Sequence, residues 1–371
     1  MSTPQLKPMY ANSVEKLEEV LGENNYKSIE PYLHTYTGKV ESVKPVAKHV
    51  TIYWIGRAED RMILRTEGEE DIILSEIKEI LVPTIIFRKL KAVHLREFMQ
   101  LLRRQWELYD KEIREAMGDS NYDFLASCSL SPGIAKGKDD NKGTQIGRCM
   151  KCPADVLMGA TSSLTEYNLV SRFVGDSAYA LTSNYRARTG TAVDEVTYTT
   201  YTYTKEHKQQ DESKTGAVFM ENHVEPGTLF VGKTVLFMPS PVELLYVLWL
   251  LTRTVRVGAR TSIWGTMKVD PVALVADLYE VGSSYEASKE LLNKTDEGEA
   301  REGLLNYVKK VAYATGTSII EVSSDMINKL RSVNVVDKDL VKELWLNARN
   351  YISAVNEYIV IKKKLERSRS S

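Results

Sequence analysis

The sequence predicts an α+β fold, and three observations carry that prediction. Short β-branched and aromatic runs, VTIYWIG (Val50 to Gly56) and GTLFVGKTVLFM (Gly227 to Met238), have the character of strands. Two stretches, Leu95 to Met117 and Leu244 to Leu251, carry a helical apolar period. Beyond Asp270 helical patterns dominate. The 371 residues are 43% hydrophobic and 27% charged, which excludes global disorder and allows one large core or two smaller ones. A formal net charge of -1 excludes a protein coated in positive charge, but not a local basic surface.

Residues 1–45 are expected to be peripheral, with one short helix from Asn12 to Leu21. After the Val50–Gly56 strand, RMILRT (Arg61 to Thr66) predicts a second, and the acidic EGEED a loop. LVPTIIFRKL (Leu81 to Leu90) is strand-like, with Pro83 confining its start to an edge or a boundary. Leu95, Phe98, Met99, Leu102, Trp106, Tyr109 and Ile113 then recur at helical spacing through Met117, where Gly118 ends the helix. Residues 119–148 show no period and are rich in Gly, Ser, Asp and Lys, as in a long functional or disordered loop. The Thr/Tyr-rich stretch from Val196 and the return toward Met220 predict a long hairpin with a polar tip. Tyr198, Tyr201 and Tyr203 on it are good strand formers, and their rings could also stack on bases.

The stretch Ser240 to Val269 organises the rest. Ser240, Pro241 and Glu243 form a capped helix start, with Glu243 completing a capping box. Leu244, Leu245, Val247, Leu248 and Leu251 make its apolar face. The helix should stop near Gly258, with Arg253 and Arg256 in its last turns, and a strand should follow from Arg260 to Lys268. One parity of that strand, Arg260, Ser262, Trp264, Thr266 and Lys268, would face outward. Such a row suits a single-stranded nucleic acid, because rings stack on bases and cations meet phosphates. A plain amphipathic unit with a solvated basic edge explains the same pattern. The remaining predicted helices are Val272–Tyr279, Tyr285–Leu292, Glu299–Tyr313, Ile319–Leu330 and Lys338–Lys364.

The three cysteines are too few, and odd in number, for a secreted disulfide framework. MSTPQLKPMY lacks a signal-peptide core, and the run Leu244–Leu251 is too short to span a bilayer. The expectation is a cytoplasmic protein with no membrane partner. Cys149-Met-Lys-Cys152 is a Cys-x-x-Cys knuckle that can bite a zinc ion, and Cys128 and Asp155 can close a tetrahedral site. A redox dithiol fits less well, for want of a strand-then-helix setting. Gly-x-Ser-x-Gly, Walker A and His-Glu-x-x-His motifs are all missing from the sequence. Asp119, Asp123, Asp139 and Asp140 in the long loop could hold Mg²⁺ beside a phosphodiester, although solvated loop carboxylates are the simpler reading.

Taken as a set, several phrases resemble one family. They are LRTEG (Leu64 to Gly68), Cys149-x-x-Cys152-Pro153 followed by Gly159, and Ser171-Arg-Phe with Asp-Ser-Ala-Tyr179. The set continues with Lys214–Ala217, VEPGTLF (Val224 to Phe230), and ELLYVL, RTVRVGA and GTMK ending at Lys268. Over about residues 48–275 the chain resembles the backbone subunit of type I-D CRISPR Cascade, the Csc-two branch of the Cas-seven superfamily. Asp155 stands where the family pattern has a third knuckle cysteine, which implies an oxygen ligand in place of sulfur. The resemblance implies a modified ferredoxin-like, RRM-type palm over residues 46–283, with an insertion at 119–159 and a hairpin thumb at 196–222. Residues 284–371 would be a helical C-terminal appendage. It further implies an RNA-binding ribonucleoprotein of antiviral defence, in which copies stack into a helical filament along one guide CRISPR RNA. Base pairing with a target single strand then reads sequence, while the protein grips the backbone beside other Cascade subunits. Arg172, Arg253, Arg256, Arg260 and Lys268 are the expected phosphate contacts, and Trp264 a stacking ring. The rival reading is a metal-dependent endonuclease subunit cutting the bound target strand at regular intervals.

Overall fold

The computed structural model describes residues 9–64, 72–128, 148–161, 167–190, 219–259, 261, 264–312 and 317–370. Its strands are β1 (His49–Ala58), β2 (Leu74–Ile77), β3 (Ile80–Ile85), β4 (Phe173–Gly175), β5 (Ala178–Ala180), β6 (Tyr185–Gly190), β7 (Phe219–Val224), β8 (Leu229–Phe237), β9 (Val255–Arg256), β10 (Thr266–Asp277) and β11 (Ser318–Glu321). Nine of them form one sheet in the order β11-β10-β1-β8-β5-β3-β2, with β4 also on β8 and β9 on β10; β6 and β7 pair apart. Every pairing is antiparallel.

β1 runs through the middle and is buried on both faces, which is why VTIYWIG shows no polar alternation. Val50 and Ile52 face a core shared with Phe98, Met99, Leu102 and Leu245, from the helices Phe87–Met117 and Pro241–Leu251. Tyr53 and Ile55 face Ala287, Leu304 and Val308, from the helices Ser284–Leu291 and Glu297–Ala312. The molecule is therefore helix, sheet, helix. Trp54 lies across from Gly232 on β8, where a Cβ would sit 2.1 Å from the indole ring. Only a glycine leaves room there.

Two predicted boundaries are seen. Gly118 closes the long helix in the left-handed region (φ 64), as a C′ glycine does. Ser240 and Glu243 make both halves of the capping box, with Ser240 N donating to Glu243 Oε2 at 3.0 Å and Glu243 N to Ser240 Oγ at 3.3 Å.

Other expectations are corrected. Residues 10–36 are not peripheral: Tyr10, Leu17, Tyr26 and Ile29 are buried in the main core. The C-terminal region is no appendage either, because Leu340, Val341, Leu344 and Trp345 of the Lys338–Ser370 helix complete that same core. Val272–Asp277 belongs to β10 rather than to a helix, since burial on both faces erases the alternation that marks a strand. The helix predicted over Ile319–Leu330 divides into β11 and a helix Ser324–Ser332, whose first turn is capped by Ser323. Met62 and Ile63 make isolated bridges, to Val224 and Ala259, in place of a second strand. The Leu81–Leu90 run ends as a strand at Ile85, and the long helix begins at Phe87.

Candidate metal centre and nucleic-acid interface

Cys128, Cys149, Cys152 and Asp155 converge, and their ligand atoms all lie within 4.8 Å of one another. Cys128 follows the short helix Phe124–Ser127, and Cys152 is the N-cap of the helix Pro153–Met158, which carries Asp155 in its first turn. Cys128 Sγ is 3.8 Å from Cys152 Sγ, and Cys149 Sγ is 3.4 Å from Asp155 Oδ2. A tetrahedral zinc with sulfur at about 2.3 Å has ligand–ligand edges of about 3.8 Å, so the spacing fits such an ion. Met150 N donates to Asp155 Oδ2 at 2.7 Å, and Arg148 pairs with the other oxygen, Oδ1. Tyr122 reaches Cys149 Sγ through its hydroxyl at 3.7 Å. Burial, and then the neighbouring Cys149, push the Asp155 carboxyl up to about 7. Hydrogen bonds from Cys149 and Cys152 pull Cys128 down to about 4, while burial drives Cys152 well up. Such a set stores protons when empty and exchanges them for a cation.

The carboxylates proposed for Mg²⁺ are used otherwise. Asp119 Oδ1 accepts from Asn121 N at 3.0 Å, and Asp123 caps the Phe124–Ser127 helix through Ala126 N at 3.1 Å. Asp139 and Asp140 lie outside the described residues. Among the described residues the cysteine cluster is the only group of three or more ligating side chains, so nothing supports Mg²⁺.

The basic stretch after the Pro241–Leu251 helix folds differently from its prediction. That helix ends at Leu251, and Arg253 and Arg256 lie beyond it. β9 and β10 then make a hairpin whose loop is held by Asp60, with Oδ1 accepting from Gly265 N at 2.7 Å and Thr266 N at 2.8 Å. Gly265 has φ 93, and a Cβ there would sit 2.3 Å from the Val257 carbonyl oxygen, so the strand starts only at Thr266. Arg260 lies outside the described residues. Trp264 is half-buried, with the Arg61 guanidinium 5.9 Å from its ring centroid. Arg253 is exposed and lies over Trp249 at 5.1 Å.

Arg172, expected on a phosphate, is instead buried against Glu243, Tyr36 and Tyr351, and no phosphate can reach it. A different cationic row takes shape from the register. Arg57 on β1 is opposite Lys268 on β10, and Thr266, two residues earlier, is opposite Arg256 on β9. Opposed residues share a face, so Arg57, Lys268 and Arg256 line one side of three neighbouring strands. It is the side of Ile55, beside the start of the Glu297–Ala312 helix, where Glu297 Oε2 lies 3.9 Å from Arg57 Nε. Arg57 pairs with Glu59 at 2.8 Å, Lys268 with Asp270 at 2.8 Å, and Arg256 donates to the Thr261 carbonyl at 2.9 Å. Sequence reading missed Arg57, whose signal is cross-strand partnership with Lys268, and Arg61, which meets Trp264 only through the fold. β6 and β7 pair with each other on either side of residues 191–218, which lie outside the described residues, as do Tyr198, Tyr201 and Tyr203 within them. Among the described residues no helix is long and apolar enough to cross a membrane.

The sheet, its helical layers and the knuckle define an α+β protein with a Cys3Asp cluster that could hold a metal ion. The family model described as Csc2 Crispr matches residues 32–357, and the chain belongs to that family. No curated protein matches it. The structure is similar to the crystal structure of Thermofilum pendens Csc2, with a TM-score of 0.63 and 23% identity, covering 89% of this chain and 94% of that one. A chain from a pre-nicking CRISPR RNA-guided surveillance complex matches at TM-score 0.45 and 12% identity, covering 72% of this chain and 90% of that one. Another CRISPR RNA-guided surveillance complex contains a chain matching at TM-score 0.40 and 10% identity, over 79% and 96%.

Proposed function

We propose that this protein is the guide-RNA-binding backbone subunit of a type I-D Cascade complex, polymerising head to tail along the RNA and presenting it to the target strand. Its core is taken as a ferredoxin-like, RRM-type palm. In support, β1, the Phe87–Met117 helix, β5, β8, the Pro241–Leu251 helix and β10 follow one another in the chain, and the sheet order is β10-β1-β8-β5. In an RRM the sheet face opposite the two helices meets RNA. Here two further helices cover most of that face. The carrying observation is that the open remainder displays Arg57, Lys268 and Arg256 side by side across three strands. The Arg57–Glu59 pair faces solvent, and exposed pairs contribute about 0–1 kcal/mol, so a phosphate can displace it at little cost. Lys268 would leave a buried Asp270 that Arg331 still holds at 2.6 Å, and Arg256 is on a backbone carbonyl. Sequence-blind backbone contacts of this kind leave the bases to pair. Arg253, Arg260 and Trp264 flank the row in the chain and extend it in this reading. The segment 196–222, which carries Tyr198, Tyr201 and Tyr203 in its sequence and runs into β7, is taken as the thumb. The cysteine cluster holds structural zinc, which supplies a cross-link between the Cys128 and Cys149–Asp155 segments when bound.

Guide RNA binding by purified Arg256→Glu tests this reading. The expected result is binding weakened on the order of tenfold or more with an unchanged melting curve, from reversal of one phosphate contact. Wild-type affinity in that variant would refute the assignment.

A further inference from the structure

We propose that Arg148 is a positioning residue of the metal centre: it takes Oδ1 of Asp155, so that Oδ2 alone is presented to the three sulfurs. This rests on the zinc reading above. The two carboxylate oxygens are cleanly divided. Oδ2 lies 3.4 Å from Cys149 Sγ and 3.9 Å from Cys128 Sγ, and is further fixed by Met150 N at 2.7 Å. Oδ1 makes the ion pair with Arg148 Nη2, whose side chain is 15% exposed while that of Asp155 is fully buried.

An aspartate in place of a thiolate poses a problem that the arginine solves. A carboxylate can chelate through both oxygens, which would crowd a tetrahedral ion already given three sulfurs. Occupying one oxygen makes the carboxylate a single-atom donor, the role a cysteine sulfur plays. Arg148 should therefore matter because Asp155 is there, and should not matter once a sulfur replaces it.

That dependence is the test. Zinc affinity of the full-length chain is measured by chelator competition for wild type, Arg148→Ala, Arg148→Lys, Asp155→Cys and Asp155→Cys/Arg148→Ala, with Co²⁺ absorption as a second readout. Loss of an outer partner should weaken zinc by about 10–100-fold in Arg148→Ala. Arg148→Lys should recover part of this, keeping the charge without the planar fork. In the Asp155→Cys background Arg148→Ala should cost little, and the Co²⁺ spectrum should gain the charge-transfer intensity of a fourth thiolate. If Arg148→Ala costs as much with Cys at 155 as with Asp, or costs nothing in the wild type, the positioning role is overturned while zinc binding stands. A wild-type chain that takes up neither ion overturns the zinc reading and this inference with it.

Discussion

The guanidinium of Arg172 closes on the carboxylate of Glu243 while lying against two tyrosine rings, 4.9 Å from the centroid of Tyr36 and 4.7 Å from that of Tyr351. Asn347 donates to Glu243 Oε1 at 3.0 Å and accepts from the Tyr10 hydroxyl at 2.7 Å. One buried pair thus joins the N-terminal segment, the sheet layer and the C-terminal helix. Arg172→Ala strands a buried carboxylate and should destabilise the fold by roughly 3–5 kcal/mol, read from urea unfolding. Burial would raise the Glu243 carboxyl, but the Arg172 charge and hydrogen bonds, with donors from Ser240 and Asn347, outweigh it and hold the group below its ordinary range. A depressed carboxylate gives stability above its unfolded pKa that is lost as pH falls through the folded value. Glu243→Gln should therefore be less stable at neutral pH and lose less on acidification than the wild type. Parallel acid titrations of the two would expose the error.

His94 supplies a second pH dependence. It is buried beside Phe173, its Nδ1 has no hydrogen-bond partner among the described residues, and burial pushes it down to about 4 from the usual 6.5. The unfolded chain then binds the extra proton across that interval, so stability rises with pH from about 4 to 6.5. The full effect is roughly 3 kcal/mol, at about 1.4 kcal/mol per pH unit. His94→Phe should flatten this part of the stability curve, and an unchanged slope would show that His94 is not its source.

Gly232 offers a steric test of the core. A methyl group there meets the Trp54 ring, whose Nε1 is already held by Thr234 Oγ1 at 3.2 Å. Gly232→Ala should cost about 1–3 kcal/mol or more by overpacking, and Gly232→Ala with Trp54→Leu should recover part of it. Equal stability of both variants in thermal melts would mean that the indole moves aside freely.

Which of these features the sequence discloses follows from how local their causes are. The Ser240–Glu243 box and the Gly118 stop act within a turn of chain, and both are legible. Cys149, Cys152 and Asp155 lie three residues apart in sequence and Cys128 is the remaining cysteine, so the candidate ligand set could be named in advance. β10 could not, because a strand covered on both faces has the same apolar run as a buried helix. Nor could the fate of Arg172, since its partner Glu243 is distant in the chain and a buried arginine leaves no periodic mark. The outward row read over Arg260–Lys268 fails at Gly265, whose backbone is locked by Asp60 from another strand end. Arg57 meets Lys268 only through sheet register, which no short window contains.

The register also sets the salt dependence of RNA binding. If Arg57, Lys268 and Arg256 each neutralise one phosphate, each releases counterions, and the slope of log affinity against log salt changes by about 0.7 per contact on a single strand. Arg57→Gln, Lys268→Gln and Arg256→Gln should each lower the slope by that amount, and the triple variant by about 2. The losses should be the same for guides of unrelated sequence, because backbone contacts carry no base information. Arg172→Ala, assayed where it is still folded, should leave the slope unchanged, since its charge is spent on Glu243. A triple variant with the wild-type slope would place the RNA elsewhere on the protein, and a slope that changes with guide sequence would mean that the row reads bases.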